Sequence, residues 1–410
     1  MAHTLPKLSK RTTAGLVRRA TPAAARRKPA DSKSSGGWKP LKLDGHIAFI
    51  ALAFVLLGLI FTYSSSAFES ASYFQRQLIF DGIGLAVALV LSQTFDRILK
   101  LKFCKPIYLV YMTWVLLIIV LFSREQANVH RWIDLGVFKL QPSEIAKVTL
   151  VLYTAQYLEG VAGRLAKNWK LMLKPGLVAG ITLALILAEK DLGTPTLMGG
   201  VFVLMLLAAG ARLWHFVLPG LVLSPLIIHQ LLFVAYRRER LFSFLNPFAS
   251  EGSSGYQLVQ SFLAVGSGGW FGKGLGNSEL KMQYLPAAHT DFIFSIMCEE
   301  VGMFVILVIA GFCWLLIRGV ALASIAKTHF RALVIFGLTL TICCQAFFNM
   351  AMAIGLLPTK GIALPFFSYG GSSVIMTLAM IGIILNMAAV DTTRSTHLKE
   401  DLTHYTNRNK

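Results

Sequence analysis

Long apolar runs separated by short polar ones recur from about position 46 to position 390, at 46–66, 77–95, 106–122, 143–159, 172–188, 194–210, 213–235, 291–317, 332–356 and 369–390. A helix of about 20 residues crosses roughly 30 Å of hydrocarbon, so each run is long enough, or nearly so, to span a bilayer. The pattern predicts an all-α, polytopic integral membrane protein with about ten transmembrane helices. Its largest non-spanning segment, 236–290, is expected to be an extracytoplasmic loop between helices 7 and 8. Within that loop, 256–265 reads as an amphipathic interfacial helix and the glycine-rich 266–277 as a tight turn.

Composition agrees with the pattern. Of the 410 residues 55% are apolar and only 14% charged, well below the quarter usual in soluble domains, which excludes a water-soluble globule. A net charge of +19 suggests nucleic acid at first sight. However, 11 of the 39 Lys and Arg residues fall in the first 45 positions and most others sit in short loops, a distribution that speaks of topology and anionic lipid rather than nucleic acid.

Residues 1–44 carry no hydrophobic period and are expected to be a disordered basic cytoplasmic tail, with 45–390 as the membrane domain and 391–410 as a second cytoplasmic tail. The first apolar run starts too far from the N-terminal basic cluster to read as a cleavable signal peptide. Loops 95–105, 159–174, 210–214 and 316–331 hold 12 Lys and Arg in 48 residues, against 11 in about 105 on the other side. The positive-inside rule therefore puts both termini in the cytoplasm.

Charges at membrane depth are costly and each needs a reason. Glu144 and Lys147, three apart at the start of the fourth run, share a helical face; an ordering ion pair and a functional pair are both open. Asp291 opens the eighth run after His289 and Thr290, either complementing the helix dipole or reacting, with Glu299 and Glu300 two turns further on. Asp134 beside Arg131 and Trp132, Asp191 in the turn after Glu189 and Lys190, and Lys360 add outward polar clusters; Trp132 by itself reads as an interfacial anchor. Asp81 has no evident partner.

Several other chemistries find no support. His130 and His289 lack a metal-binding spacing, and the glycine run lacks the strand and the Lys-Ser/Thr ending of a nucleotide loop. The five cysteines lie in or beside apolar runs with no disulfide or zinc pattern. Ser368, Ser372 and Ser373 flank a Tyr-Gly-Gly turn, without the spacing of a serine triad.

Four stretches together carry a resemblance: 131–147 with Gln141-Pro142-Ser143-Glu144 and Lys147, 190–194, 255–302 with Ala288-His289-Thr290-Asp291-Phe292, and 355–373. They resemble the SEDS family (shape, elongation, division and sporulation) across essentially 45–390, and look more like its division member than its elongation member. The resemblance implies a ten-helix peptidoglycan glycosyltransferase of the cytoplasmic (inner) membrane, enriched at the division septum. Such an enzyme polymerises lipid II on the outer face, with a class B penicillin-binding transpeptidase and other division proteins as partners.

It also implies that Asp291 is the essential aspartate, and that Glu144, Lys147 and Trp132 occupy functional positions. The chain departs from the family at Ala287, where a glutamate is usual, and at Glu189-Lys190, where Gln-Pro is usual. Inverting displacement requires one general base, for which Asp291 is the candidate. Arg237, Arg238, Arg240, Lys360 or a divalent cation such as Mg or Mn are the candidates to stabilise the departing diphosphate. Arg131, Asp191, His289 and Ser372 complete the expected substrate-binding set, and Lys147, if it approaches Asp291, is expected to lower its pKa. The rival classes are a lipid II flippase, an elongation-type polymerase and a non-catalytic scaffold.

Overall fold

A computed structural model of the chain describes residues 43–66, 71–123, 131–134, 136, 139–249, 254–279 and 290–408. The chain is mainly helical: α1 (Gly45–Ser66), α2 (Ala71–Ile98), α3 (Pro106–Leu121), α4 (Pro142–Val161), α5 (Leu173–Ala188), α6 (Gly193–Ala208), α7 (Val217–Leu232), α8 (Ala235–Leu245), α9 (Ser254–Ser267), α10 (Ile293–Val301), α11 (Ile306–Ser324), α12 (His329–Ala353) and α13 (Gly371–Arg408). One two-stranded antiparallel ribbon, β1 (Ile133–Asp134) with β2 (Lys139–Leu140), pairs Ile133 with Leu140 and Asp134 with Lys139.

Among the described residues six helical stretches are long and apolar enough to cross a membrane: 45–65, 73–98, 169–188, 293–324, 329–353 and 371–389. Three shorter apolar helices lie at 106–121, 193–208 and 213–222. α4 falls outside this group because Glu144, Lys147 and several hydroxyl side chains dilute its hydropathy, although nearly all of it is buried.

α12 and α13 are the most enclosed of the long helices, whereas α2 and the stretch leading into α5 turn apolar side chains outward, as suits a lipid-facing rim. Lipid tails are as apolar as leucine, so burial alone does not drive these helices together and close packing must. Small residues permit it. A Cβ at Gly382 of α13 would come 2.5 Å from the Ala88 carbonyl oxygen of α2, and one at Gly337 of α12 would come 2.7 Å from side-chain atoms of both Val151 and Met205. Polar clasps secure the helix ends. Asn386 donates to the Ser92 carbonyl at 2.9 Å and accepts from the Asp96 amide at 3.0 Å. Asp44, ahead of α1, accepts from the Ile47 amide at 3.1 Å and from Arg318 Nη2 at 2.5 Å. Burial raises the Asp44 pKa, but these hydrogen bonds outweigh it and hold the carboxyl below the ordinary range.

The structure adds four particulars to the sequence reading. The eighth run is two helices, because Gly302 takes a φ of 60° between α10 and α11. α13 continues to Arg408, so the segment expected to be the cytoplasmic C-terminal tail is helical through that residue. Asp81 has a partner one turn earlier, since Gln77 Nε2 donates to its Oδ1 at 3.1 Å. Glu299 and Glu300 are held by neighbouring elements. Glu299 accepts from Lys273 Nζ at 2.9 Å and Ser278 Oγ at 2.5 Å, and Glu300 accepts from Ser64 Oγ at 2.5 Å.

The expected amphipathic helix is α9, followed by a chain that turns through left-handed glycines at 269, 272, 274 and 276. Gly272 packs directly on the Glu300 carbonyl, where a Cβ has no room.

Candidate functional site

The N-terminus of α4 anchors one wall of the site. Pro142 occupies the first turn, where its missing N–H costs nothing, and Gln141 before it is extended. Two bonds fasten this entry to α13: the Gln141 amide donates to Ser372 Oγ at 3.2 Å, and Ser372 Oγ donates to the Lys139 carbonyl at 2.5 Å. Ser372 thus lines the site while its hydroxyl holds backbone. Glu144 and Lys147 face one another as their spacing predicts, Nζ to Oε2 being 2.7 Å, and both are buried. Lys147 also donates to Gln345 Oε1 at 2.6 Å, and Gln345 Nε2 to the Ala363 carbonyl at 2.9 Å. Through this chain of contacts an α4 ion pair positions the loop between α12 and α13.

That loop holds Asp291. Asn349 Nδ2 donates to the carbonyls of Asp291 and Ile362, each at 2.7 Å, and Ser368 Oγ donates to the Thr290 carbonyl at 2.5 Å while accepting from the Leu364 amide at 2.7 Å. Asp291 lies two residues ahead of α10, whose N-cap is Phe292. A Cβ on Gly361 would sit 3.3 Å from both Arg131 Nη1 and Asp291 Oδ2, so the guanidinium and the carboxylate approach the same small residue.

Asp291 and these walls enclose a cavity of about 580 Å³, lined among others by Arg131, Trp132, Glu144, Lys147, Asp291 and Ser372. Beneath it, around Leu150, Val151, Met198 and Phe202, only about 10 Å³ is open. A second small cavity adjoins the first at Arg131 and Gly361 and is lined by Lys190, Asp191, Arg240 and Lys360.

Asp191 is used locally, accepting from the Gly193 amide at 2.9 Å and Thr194 Oγ1 at 2.8 Å at the start of α6, and pairing with Arg131 Nη2 at 3.4 Å. Arg240 comes from α8 and donates to the Thr359 carbonyl at 3.4 Å. Burial lowers the Lys360 pKa, with Asp191 opposing.

Burial pushes the Asp291 carboxyl up to about 6; Arg131 and Arg240 pull it back, and Asp191 adds to the rise. Lys147, a modulator only if it approached Asp291, is committed to Glu144 and Gln345; Arg131 and Arg240 are the cations that act on the carboxyl, and the net shift is upward.

Of the predicted residues, Asp291, Glu144, Lys147, Arg131, Trp132 and Ser372 meet at the main cavity, and Asp191, Arg240 and Lys360 at its neighbour. Arg238 is exposed on α8 and lines neither cavity; the Arg237 side chain, His130 and His289 lie outside the described residues. The sequence reading missed Gln345 and Asn349, whose signal was two amides one turn apart in an otherwise apolar run. It also missed Tyr73, Arg76 and Phe80 of α2, which carry no local signal. Among the described residues no group of three or more metal-ligating side chains gathers.

Residues 45–393 match the model of a family described as cell cycle protein, FtsW/RodA/SpoVE. The chain is 39% identical over 358 residues to a probable peptidoglycan glycosyltransferase FtsW of Geobacter metallireducens, covering 85% of this chain and 95% of that one. It is 39% identical over 371 residues to the protein of the same name from Coxiella burnetii, covering 87% and 98%. Among solved structures it resembles a chain from work on the structural coordination of polymerization and crosslinking by a peptidoglycan synthase complex, with a TM-score of 0.71, 28% identity and coverage of 85% and 98%. It also resembles the rod shape determining protein RodA of Thermus thermophilus, with a TM-score of 0.64, 27% identity and coverage of 86% and 98%.

Proposed function

The chain belongs to the FtsW/RodA/SpoVE family of cell cycle proteins, and from that footing we propose that it is a peptidoglycan glycosyltransferase polymerising lipid II on the outer face of the cytoplasmic membrane for division. The observation that carries the reading is Asp291, half-buried on a polar cavity beside Arg131, with Arg240 and Lys360 at the adjoining cavity. Of the carboxylates lining the main cavity, Glu144 is paired with Lys147 and Asp134 accepts from the Gly136 amide, which leaves Asp291 for an inverting displacement that needs one base and a place for departing negative charge.

In the proposed step the acceptor sugar hydroxyl attacks the anomeric carbon of the donor and the new glycosidic bond forms as the bond to the diphosphate oxygen breaks. Asp291 takes the hydroxyl proton. The undecaprenyl diphosphate leaves with the bonding electrons toward Arg131, Arg240 and Lys360. A divalent cation such as Mg or Mn, held by one or two carboxylates and the substrate's own phosphates, would supply further charge neutralisation, and the carboxylates lining the main cavity besides the base are Asp134 and Glu144. The apolar packing around Leu150, Val151 and Met198 beneath the cavity favours a one-sided site over a flippase path.

In this reading the ten apolar runs are ten crossings and the loop charges put both termini inside, α4 counting as a span because its ions are buried in protein rather than lipid. The chain makes polymer in this reading, and its Ser-x-x-Lys stretches, Ser278 to Lys281 and Ser324 to Lys327, have no Ser-Asp-Asn or Lys-Thr-Gly to complete a cross-linking set, so a class B penicillin-binding transpeptidase is its expected partner. Purified together, the two should convert lipid II to glycan in detergent. An impermeant maleimide on spheroplasts should label Glu279→Cys and spare Lys100→Cys. No polymer with a transpeptidase that binds, or labelling of Lys100→Cys alone, defeats the reading.

A further inference from the structure

Glu189, the residue that ends α5, is fully buried, and neither of its carboxyl oxygens has a hydrogen-bond partner. Two residues on, Asp191 holds Arg131 at 3.4 Å, and Arg131 in turn reaches the Gly361 surface that Asp291 also touches. One guanidinium therefore serves two carboxylates at the reacting end of the cavity. A third anion at Glu189, enclosed and without donors of its own, would compete for it. An ionised carboxylate deprived of both water and hydrogen bonds is far more costly than a neutral acid in the same place.

We propose that Glu189 is an uncharged positioning residue: as a neutral acid it leaves Arg131 to Asp191 and Asp291, and its ionisation draws Arg131 away and stops polymerisation. The proposal rests on the glycosyltransferase reading above. The charged groups acting on Glu189 are Asp191, which disfavours its ionisation, and Arg131, which favours it; Lys190 follows in the turn, and Arg240 and Lys360 line the small cavity with them. Burial, seconded by Asp191, pushes its carboxyl up to about 9, so the acid is neutral at ordinary pH and ionises on the alkaline side.

The test uses the full chain with its transpeptidase, as wild type, Glu189→Gln and Glu189→Met, two neutral side chains of similar size. Near neutral pH each variant should polymerise within about threefold of wild type, the scale of change at a site that touches no reacting atom. Above about pH 9 wild type should lose activity that both variants keep. Infrared difference spectra of wild type minus Glu189→Gln should show a protonated carboxyl stretch at neutral pH that fades over the same alkaline range. Absence of that band, or an alkaline limb unchanged by both substitutions, overturns the proposal. The infrared measurement needs no turnover, so failure of the glycosyltransferase reading shows itself separately, as no polymer from any of the three proteins.

Discussion

Asn349 and Asp291 are joined backbone to side chain: a single amide nitrogen of α12 donates 2.7 Å bonds to the carbonyls of Asp291 and Ile362. The carboxylate that faces the cavity and the loop that carries Lys360 and Gly361 are thereby fixed to one buried point.

Asn349→Leu should therefore slow polymerisation without touching substrate. It leaves two carbonyls without their donor, at about 1–3 kcal/mol for each buried group left unsatisfied. The expected outcome is inserted protein with a lowered apparent melting temperature and a reduced kcat, read by detergent thermal unfolding and a polymer gel. Wild-type kcat in the leucine variant would show that Asp291 is placed by other contacts.

Asp291→Asn should abolish polymerisation while insertion, accumulation and transpeptidase binding persist. Asparagine keeps the shape but cannot take the hydroxyl proton, and general base catalysis is typically worth about 10²–10⁴-fold. A stability role as a partner of the helix dipole predicts a milder result, since asparagine removes only the charge, worth about 0.3–1 kcal/mol. Near wild-type polymer from this variant removes Asp291 from the reaction and directs attention to Glu144 and Lys147.

The pH dependence of kcat should show an acid limb near 6, because protonated Asp291 is no base and burial has raised its pKa to about that value. Arg131 and Arg240 favour the ionised form, so removing one of them must move the limb upward. Arg131→Gln should shift it to higher pH, reinforced by the Asp191 charge it leaves uncompensated. The position of the limb, rather than the size of kcat, is the measurement, and a shift to lower pH contradicts the assigned electrostatics.

Lys147→Met should destabilise strongly, on the order of 3–5 kcal/mol, because Glu144 is left buried without its cation. Replacing both, as Glu144→Gln with Lys147→Met, should recover most of that loss, since two neutral side chains need no pairing. Recovered stability with polymerisation still impaired assigns the pair to substrate contact or loop placement; recovery of both assigns it to bundle order alone. Thermal unfolding and lipid II turnover on the same preparations separate the two.

Much of this protein was legible in its linear pattern. In hydrocarbon every backbone polar group must be satisfied within the segment, so apolar length alone nearly dictates helices. The cost of charge at membrane depth marked Glu144, Lys147 and Asp291 as places to look. Helical spacing placed Glu144 opposite Lys147 correctly because three residues is a local distance.

Distance along the chain limited the rest. Whether Lys147 approaches Asp291 is open in the sequence; its position is set by Gln345, 198 residues away, and the upward shift at Asp291 arises from its enclosure, which no spacing encodes. Gly302 broke the eighth run because its backbone packs against Gly269 and Gly272, a contact made only when the glycine turn folds onto α10. The sequence determined which segments are helical and which polar groups must be accounted for, since those follow from local geometry and transfer cost. Only the tertiary structure decided which carboxyl meets Arg131, which amide holds Asp291 and which acid is left alone, because burial and pairing are properties of neighbours that the chain brings from elsewhere.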